Sequence, residues 1–172
     1  PGAPAGCSQK QQQAPPGARY FRKQITIPAG AAIKKAVFAG TADNSFTLFV
    51  NGKEAGRSDE SDMGWRNPVA IDVKAHLRGG ANIIALAATN GGAAANPAGL
   101  IGKLSIDFAQ GKPQVVRVDA TWKAAREKKA GWTAPDFNDG AWAPAKEIAR
   151  FGSAPWGTLT GARITLSPVK AD

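Results

Sequence analysis

The chain has 172 residues, 22 Lys and Arg against 13 Asp and Glu, a formal net charge of +9 and 43% hydrophobic residues. That length holds one domain, or one domain with an appendage, and suffices to bury a core. Gly (20) and Pro (12) exceed an average share but stay below that of low-complexity chains, so the composition is that of a folded, loop-rich domain. No run approaches the roughly 18 apolar residues of a membrane helix. One Cys (Cys7) excludes an internal disulfide framework, and with one His (His76) it leaves almost nothing for a zinc site. There is no CxxCH motif for haem attachment. The chain opens at Pro1 with no apolar signal segment, which predicts a mature fragment or an excised domain.

The charge is uneven. Residues 1–42 carry six basic residues and no acid, residues 43–110 carry six basic and seven acidic, and residues 111–172 carry ten basic and six acidic. Basic ends suit an acidic partner, although a solvated face explains them equally well. No RGG, RNP-like or helix-turn-helix pattern points to nucleic acid.

Residues 1–18 contain four Pro, four Gln and no large apolar residue, which predicts a flexible tail or linker, with the sandwich spanning 19–172. Cys7 sits in PAGC without the apolar stretch of a lipid-attachment box, so it reads as a free thiol. From Tyr20 the pattern has period two: Phe21, Lys23, Ile25 and Ile27 alternate with Tyr20, Arg22, Gln24 and Thr26, as in a strand. Pro28-Ala29-Gly30 ends it, and IKKAVFAGTA, with Val37 among short apolar neighbours, predicts a second strand. Phe46, Leu48 and Val50 alternate with Thr47 and Phe49, and Asn51-Gly52 then predicts a tight hairpin. SDESDMGWRNP (58–68) is a polar, acidic loop. VAIDV (69–73) reads as a strand, AHLRGG as a turn, and NIIALAATN (82–90) as a buried central strand. Leu104, Ile106 and Phe108 alternate in the next strand, and QVVRVDATW follows a Gly111-Lys112 turn. KAAREKKAG predicts about two helical turns, and the GW and PDFNDG segments beyond it read as ordered loop. Strands at short intervals, separated by Gly and Asn turns, predict an antiparallel β-sandwich with long C-terminal loops.

Several segments carry a family resemblance. YFRK, FTLFVNGKEAGR, IDVKAHLRGGANIIALAATN, TWKAA, GWTAPDFNDGAWAPA and FGSAPWG together resemble the galactose-binding-like jelly roll of bacterial extracytoplasmic proteins. The chain is similar there to accessory β-sandwich domains of α-L-rhamnosidases and related glycoside hydrolases, over roughly residues 19–157. Similar domains occur in large secreted multidomain proteins, some with c-type haem modules. Such a resemblance implies a fold more firmly than a function, since many of these domains only pack on a catalytic neighbour. The Gln-rich tail stands where relatives often carry a Trp-rich entry.

Catalytic readings find little support. Glycoside hydrolysis needs two carboxylates about 5–10 Å apart, one with a raised pKa. Asp59, Glu60 and Asp62 cluster, but on a solvated loop where nothing desolvates either member of a pair. With oxygen ligands from Asp43 or Asn44 beside them, Asp59 and Asp62 are instead candidates for a calcium site. His76 in AHLRGG reads as a turn residue, so a serine or cysteine nucleophile lacks a base. GGAAANPAG lacks the Lys of a phosphate-binding loop.

The aromatics carry the remaining signal. Sugar-binding surfaces stack an exposed indole on the apolar face of a pyranose and fix its hydroxyls with polar groups. Trp122 and Trp142 are expected in the core, and Trp132 is ambiguous. Trp65, flanked by Arg66 and Asn67 in the polar loop, is the leading stacking candidate, and Trp156 is the second. Asp43, Asn44 and Asn90 sit at strand ends that reach loop tips. These residues predict a non-catalytic carbohydrate-binding module of a larger secreted bacterial protein, needing no cofactor beyond a calcium ion. The basic ends favour acidic polysaccharide. The rival expectation is a structural spacer docked on a neighbouring catalytic or haem domain.

Overall fold

A computed structural model describes residues 13–61, 63–153, 156–159 and 163–165. The strands are β1 (Gln13–Ala14), β2 (Gly17–Ile27), β3 (Ile33–Asp43), β4 (Ser45–Val50), β5 (Lys53–Arg57), β6 (Val69–Asp72) and β7 (Gly80–Asn90). They continue as β8 (Asn96–Pro97), β9 (Gly99–Phe108), β10 (Gln114–Arg117), β11 (Lys123–Ala125), β12 (Ala143–Pro144) and β13 (Arg163–Thr165). Two sheets face each other: a five-stranded one ordered β10-β9-β3-β6-β13 and a six-stranded one ordered β12-β11-β2-β7-β4-β5. β1 and β8 form a small separate pair. This is the expected sandwich, and among the described residues every pairing but one is antiparallel. The exception is β13, which runs parallel to β6 (Arg163 opposite Val69).

The core forms because each sheet turns one face inward. Ile25, Ile27, Phe46, Leu48, Val50, Ile84 and Leu86 project from the six-stranded sheet onto Phe38, Ile71, Leu104 and Ile106 from the other. Burying such a side chain stabilises the fold by about 1.5–3 kcal/mol. The alternation read from β2, β4 and β9 therefore names the correct inward sets. In β3 the inward residues are Ala36, Phe38 and Ala42, while Val37 faces outward and is half-buried. The Phe38 ring lies over Gly40 and Gly102, where an added Cβ would come within 2.7 and 2.5 Å of it, so both positions require glycine. Trp122, fully buried, closes the core, and its indole N–H donates to the Arg117 carbonyl at 2.7 Å.

The hairpin turn falls where predicted. Asn51 (φ 51°) and Gly52 (φ 87°) both occupy the left-handed region. Asn51 does more than turn the chain. Its Nδ2 donates to the His76 carbonyl (2.9 Å) and to Asn82 Oδ1 (2.8 Å), and its Oδ1 accepts from the Ile83 amide (2.9 Å). His76 lies in a short 3-10 turn (Lys74–His76) and is tied to the hairpin through its backbone carbonyl.

The outer face of the six-stranded sheet is also covered. Trp132 and Trp142 pack on Ile83 and Ala85 with Tyr20, Phe49 and Phe137 around them, forming a second apolar cluster. The two indoles stack with centroids 6.2 Å apart, and Tyr20 and Phe49 meet Trp132 edge-on at 5.0 and 5.5 Å. β7 lies beneath both layers, so its sequence is apolar on both faces, Ile84 and Leu86 inward, Ile83 and Ala85 outward.

Arg22 fastens this outer layer. Its side chain is 1% exposed on the outward side of β2. Its guanidinium donates to the carbonyls of Trp132, Ala134 (3.1 Å) and Phe137 (3.3 Å) and to Asp139 Oδ2 (3.0 Å). Lys123 reaches the other Asp139 oxygen at 3.0 Å. Burial pushes the Asp139 carboxyl up, but hydrogen bonds from Arg22 and Lys123 outweigh it and hold the group below its ordinary 3.8.

Two expectations need correction. Lys123–Ala125 is strand β11, paired with β2, and turns follow it, so the helical turns expected from KAAREKKAG do not form. β2 and β12 supply backbone partners on both sides of that segment, and they override its local preference. Of the expected tail, Cys7 and its neighbours lie outside the described residues. Gln13–Ala14 nevertheless pairs with Asn96–Pro97 and β2 begins at Gly17, so ordered structure starts before residue 19. With no large apolar side chain to bury, this stretch is held by backbone pairing and by Asn90, whose Nδ2 donates to the Ala14 carbonyl at 3.0 Å.

Candidate functional site

The antiparallel register collects the predicted residues at one end of the sandwich. Asp43 ends β3 opposite Gly99, the first residue of β9. Asn44 links β3 to β4, and the Asp43–Asn44 peptide bond is cis. The Asn44 amide donates to the Thr89 carbonyl (2.7 Å), and its Oδ1 accepts from the Gly91 amide (2.6 Å). Those bonds set Asp43–Asn44 beside Asn90–Gly91 at the end of β7.

The loop bearing Trp65 folds as a 3-10 turn (Gly64–Arg66) against β3. Gly64 is obligatory, because an added Cβ would come within 2.4 Å of the Asp59 carbonyl. Thr41 Oγ1 (2.9 Å) and the Trp156 indole N–H (3.0 Å) both donate to the Trp65 carbonyl. Trp156 also lies on Gly99, so the two candidate indoles and Asp43 share one neighbourhood. Both indoles are half-buried, whereas Arg66 and Asn67 are exposed. The Arg66 guanidinium stacks over the Trp65 ring, 4.8 Å from its centroid.

Two oxygen-bearing groups at this end lack partners among the described residues. Asn90 is 6% exposed, and among the described residues its Oδ1 accepts no hydrogen bond. Such a buried, unsatisfied acceptor is rare in folded proteins and calls for an explanation. Asp43 is half-buried, and among the described residues no cation or donor meets its carboxylate. Burial alone raises its pKa above 3.8. A ligand rich in hydroxyls, or a hard cation, matches this set chemically.

The acidic loop differs. Asp59 accepts from the Ser61 amide (2.9 Å) and hydroxyl (2.7 Å), which hold its carboxyl below 3.8. Glu60 sits 3.6 Å from Arg57, while Asp62 lies outside the described residues. Both described acids are therefore already engaged. Among the described residues no group of three or more His, Cys, Asp or Glu gathers as a metal site.

Away from this end lies a concavity that was not anticipated from the sequence. It lies on the outer face of the six-stranded sheet, with a volume of about 440 Å³, between Tyr20, Thr47 and Phe49 on the strands and Lys128–Thr133 on the covering segment. The available signal was two large aromatics, Tyr20 and Phe49, at strand positions that alternation assigns to solvent.

The geometry defines a class: an all-β sandwich of jelly-roll type and galactose-binding-like form, with loops gathered at one end. Comparison with known proteins then places its relatives. The chain is 40% identical over 149 residues to an α-L-rhamnosidase of Streptomyces avermitilis, matching 85% of this chain and 14% of that protein. The crystal structure of the S. avermitilis enzyme with L-rhamnose superposes with a TM-score of 0.76 at 38% identity, over 86% of this chain and 14% of that one. A lectin from Pleurotus ostreatus, in complex with GalNAc, superposes with a TM-score of 0.72 at 34% identity, over 84% of this chain and 40% of the lectin. This chain thus spans a small part of the enzyme and under half of the lectin. No family model matches it.

Proposed function

We propose that the chain is a non-catalytic carbohydrate-binding module of a larger, extracytoplasmic bacterial protein. The observation that carries this reading is the likeness, at 34% identity and a TM-score of 0.72, to a lectin whose structure holds GalNAc. The match to 14% of a glycoside hydrolase supports an accessory role beside a catalytic unit. The sugar sits at the loop end. Trp65 and Trp156 flank it, Arg66 and Asn67 reach from the exposed loop, and the Asp43 carboxylate accepts from hydroxyls or, with Asn90 Oδ1, coordinates a calcium ion. The net charge of +9 favours acidic polysaccharide over neutral glycan.

The experiment is calorimetric titration of L-rhamnose, GalNAc and an acidic glycan panel, with calcium and with chelator. Trp65→Ala and Asp43→Asn serve as controls. At least one sugar is expected to bind in the millimolar range or tighter, weakened about tenfold or more by each substitution. Absence of binding by every glycan at millimolar concentration would sink the reading. Val115 on edge strand β10 and Ile148, 52% and 54% exposed, favour a second reading, a spacer docked on a neighbouring domain. It predicts that polar substitution of these residues loosens the parent protein while glycan binding is unchanged.

A further inference from the structure

The groove on the outer face of the six-stranded sheet has the composition of a binding site for a charged sugar. Its floor is aromatic and fixed: Trp132 is buried, and Tyr20 and Phe49 meet it edge-on while remaining partly open. Its wall is fixed too, because the Arg22 guanidinium holds the Trp132, Ala134 and Phe137 carbonyls. Preformed walls lower the ordering cost of binding. A volume of about 440 Å³ falls within the range of small-molecule sites.

The charges around it are asymmetric. Lys128 and Lys129 line the groove, and no acid does. Lys129 pairs with Glu127 at 2.9 Å on the exposed side. Lys128 has no carboxylate partner among the described residues. Arg57, on β5 opposite Thr47, is already engaged by Glu54 at 2.6 Å and Glu60 at 3.6 Å, so it adds little free charge.

We propose that this groove takes an anionic sugar unit, a uronate or a sulfated pyranose. The apolar ring face lies on Phe49 and Tyr20, and the acidic group meets Lys128 with Lys129 beside it. The Tyr20 and Thr47 hydroxyls supply hydrogen bonds to ring hydroxyls. This rests on the preference for acidic glycan proposed above and gives it a location remote from Trp65 and Asp43.

The test titrates trigalacturonate and a sulfated disaccharide against their neutral counterparts, following ¹⁵N shifts of the chain. The charge-reversing Lys128→Glu/Lys129→Glu variant is compared with a charge-matched control on the other sheet, Lys34→Glu/Lys35→Glu, at two exposed positions of β3. All four positions are exposed, and a retained thermal midpoint checks that each variant is folded. Acidic sugars are expected to shift the Thr47, Ala87 and Gly131 amides. Their affinity should fall tenfold or more in Lys128→Glu/Lys129→Glu and stay within twofold of the parent in Lys34→Glu/Lys35→Glu. Raising salt from 50 to 500 mM should weaken them severalfold. Salt-dependent binding that ignores Lys128 and Lys129 and maps to residues 43–44 and 90–91 would overturn the groove and leave the acidic preference standing. Failure of every acidic sugar to bind would overturn both.

Discussion

The two apolar layers flanking β7 are built on different principles. The inner one is aliphatic, formed by strand residues facing each other across the sandwich, with Trp122 as a fully buried plug. The outer one is aromatic, formed by irregular chain laid over a sheet and fastened by one buried guanidinium. In the inner layer, apolar contact supplies both stability and position. In the outer layer it supplies stability alone, and position comes from hydrogen bonds between residues over a hundred apart in sequence. A sheet with one face in the core still needs specific polar fastening if ordered chain is to cover the other.

The contrast can be broken by substitution. Trp122→Ala should have the largest effect, about 3–5 kcal/mol, and lower the midpoint of both layers together in chemical denaturation. Arg22→Met should cost about 2–4 kcal/mol, since it leaves three carbonyls and Asp139 Oδ2 without their guanidinium donor. Its signature differs: near-UV circular dichroism from Trp132 and Trp142 fades and residues 126–142 become protease-sensitive, while the sheets persist. Simultaneous loss of both layers would show that the distinction has no energetic content.

Asp139 sharpens the comparison through pH. Its folded pKa lies below the ordinary 3.8, so its stabilising effect is complete above 3.8 and fades as pH drops through the folded value. Acid should therefore loosen the outer layer first. In Asp139→Asn that pH dependence is absent and stability at neutral pH drops by about 1–2 kcal/mol, as for loss of a charged hydrogen bond. Glu54→Ala, which breaks an exposed pair with Arg57, should change stability by less than about 0.5 kcal/mol.

Alternation makes the inner layer legible in the residues themselves, because Ile25/Ile27 and Phe46/Leu48/Val50 repeat with the period of a strand. Asn51-Gly52 likewise announces its turn. The outer layer is hidden for a physical reason. Residues 126–142 have no periodicity, and Arg22 occupies an outward strand position where an arginine ordinarily meets water. The candidate site is half legible. Polar residues at strand ends and a tryptophan in a polar loop are recognisable locally, but which tips share an end depends on register, and only the pairings Asp43–Gly99 and Gly17–Asn90 settle it. The groove escapes a sequence reading because Lys128 and Lys129 resemble any solvated charge unless the chain folds back over Phe49.

The Asn51 side chain has a bearing on how this scaffold tolerates redesign. Turn statistics treat Asn and Gly at such a site as interchangeable, and glycine would relax the backbone there. Here the exchange would strip donors from His76 and Asn82 and an acceptor from Ile83 at once, uncoupling a hairpin from the Lys74–His76 turn and from β7. For loop grafting, this turn is a fixed joint, and new sequence that alters binding belongs at the opposite end, among the loops of the candidate site.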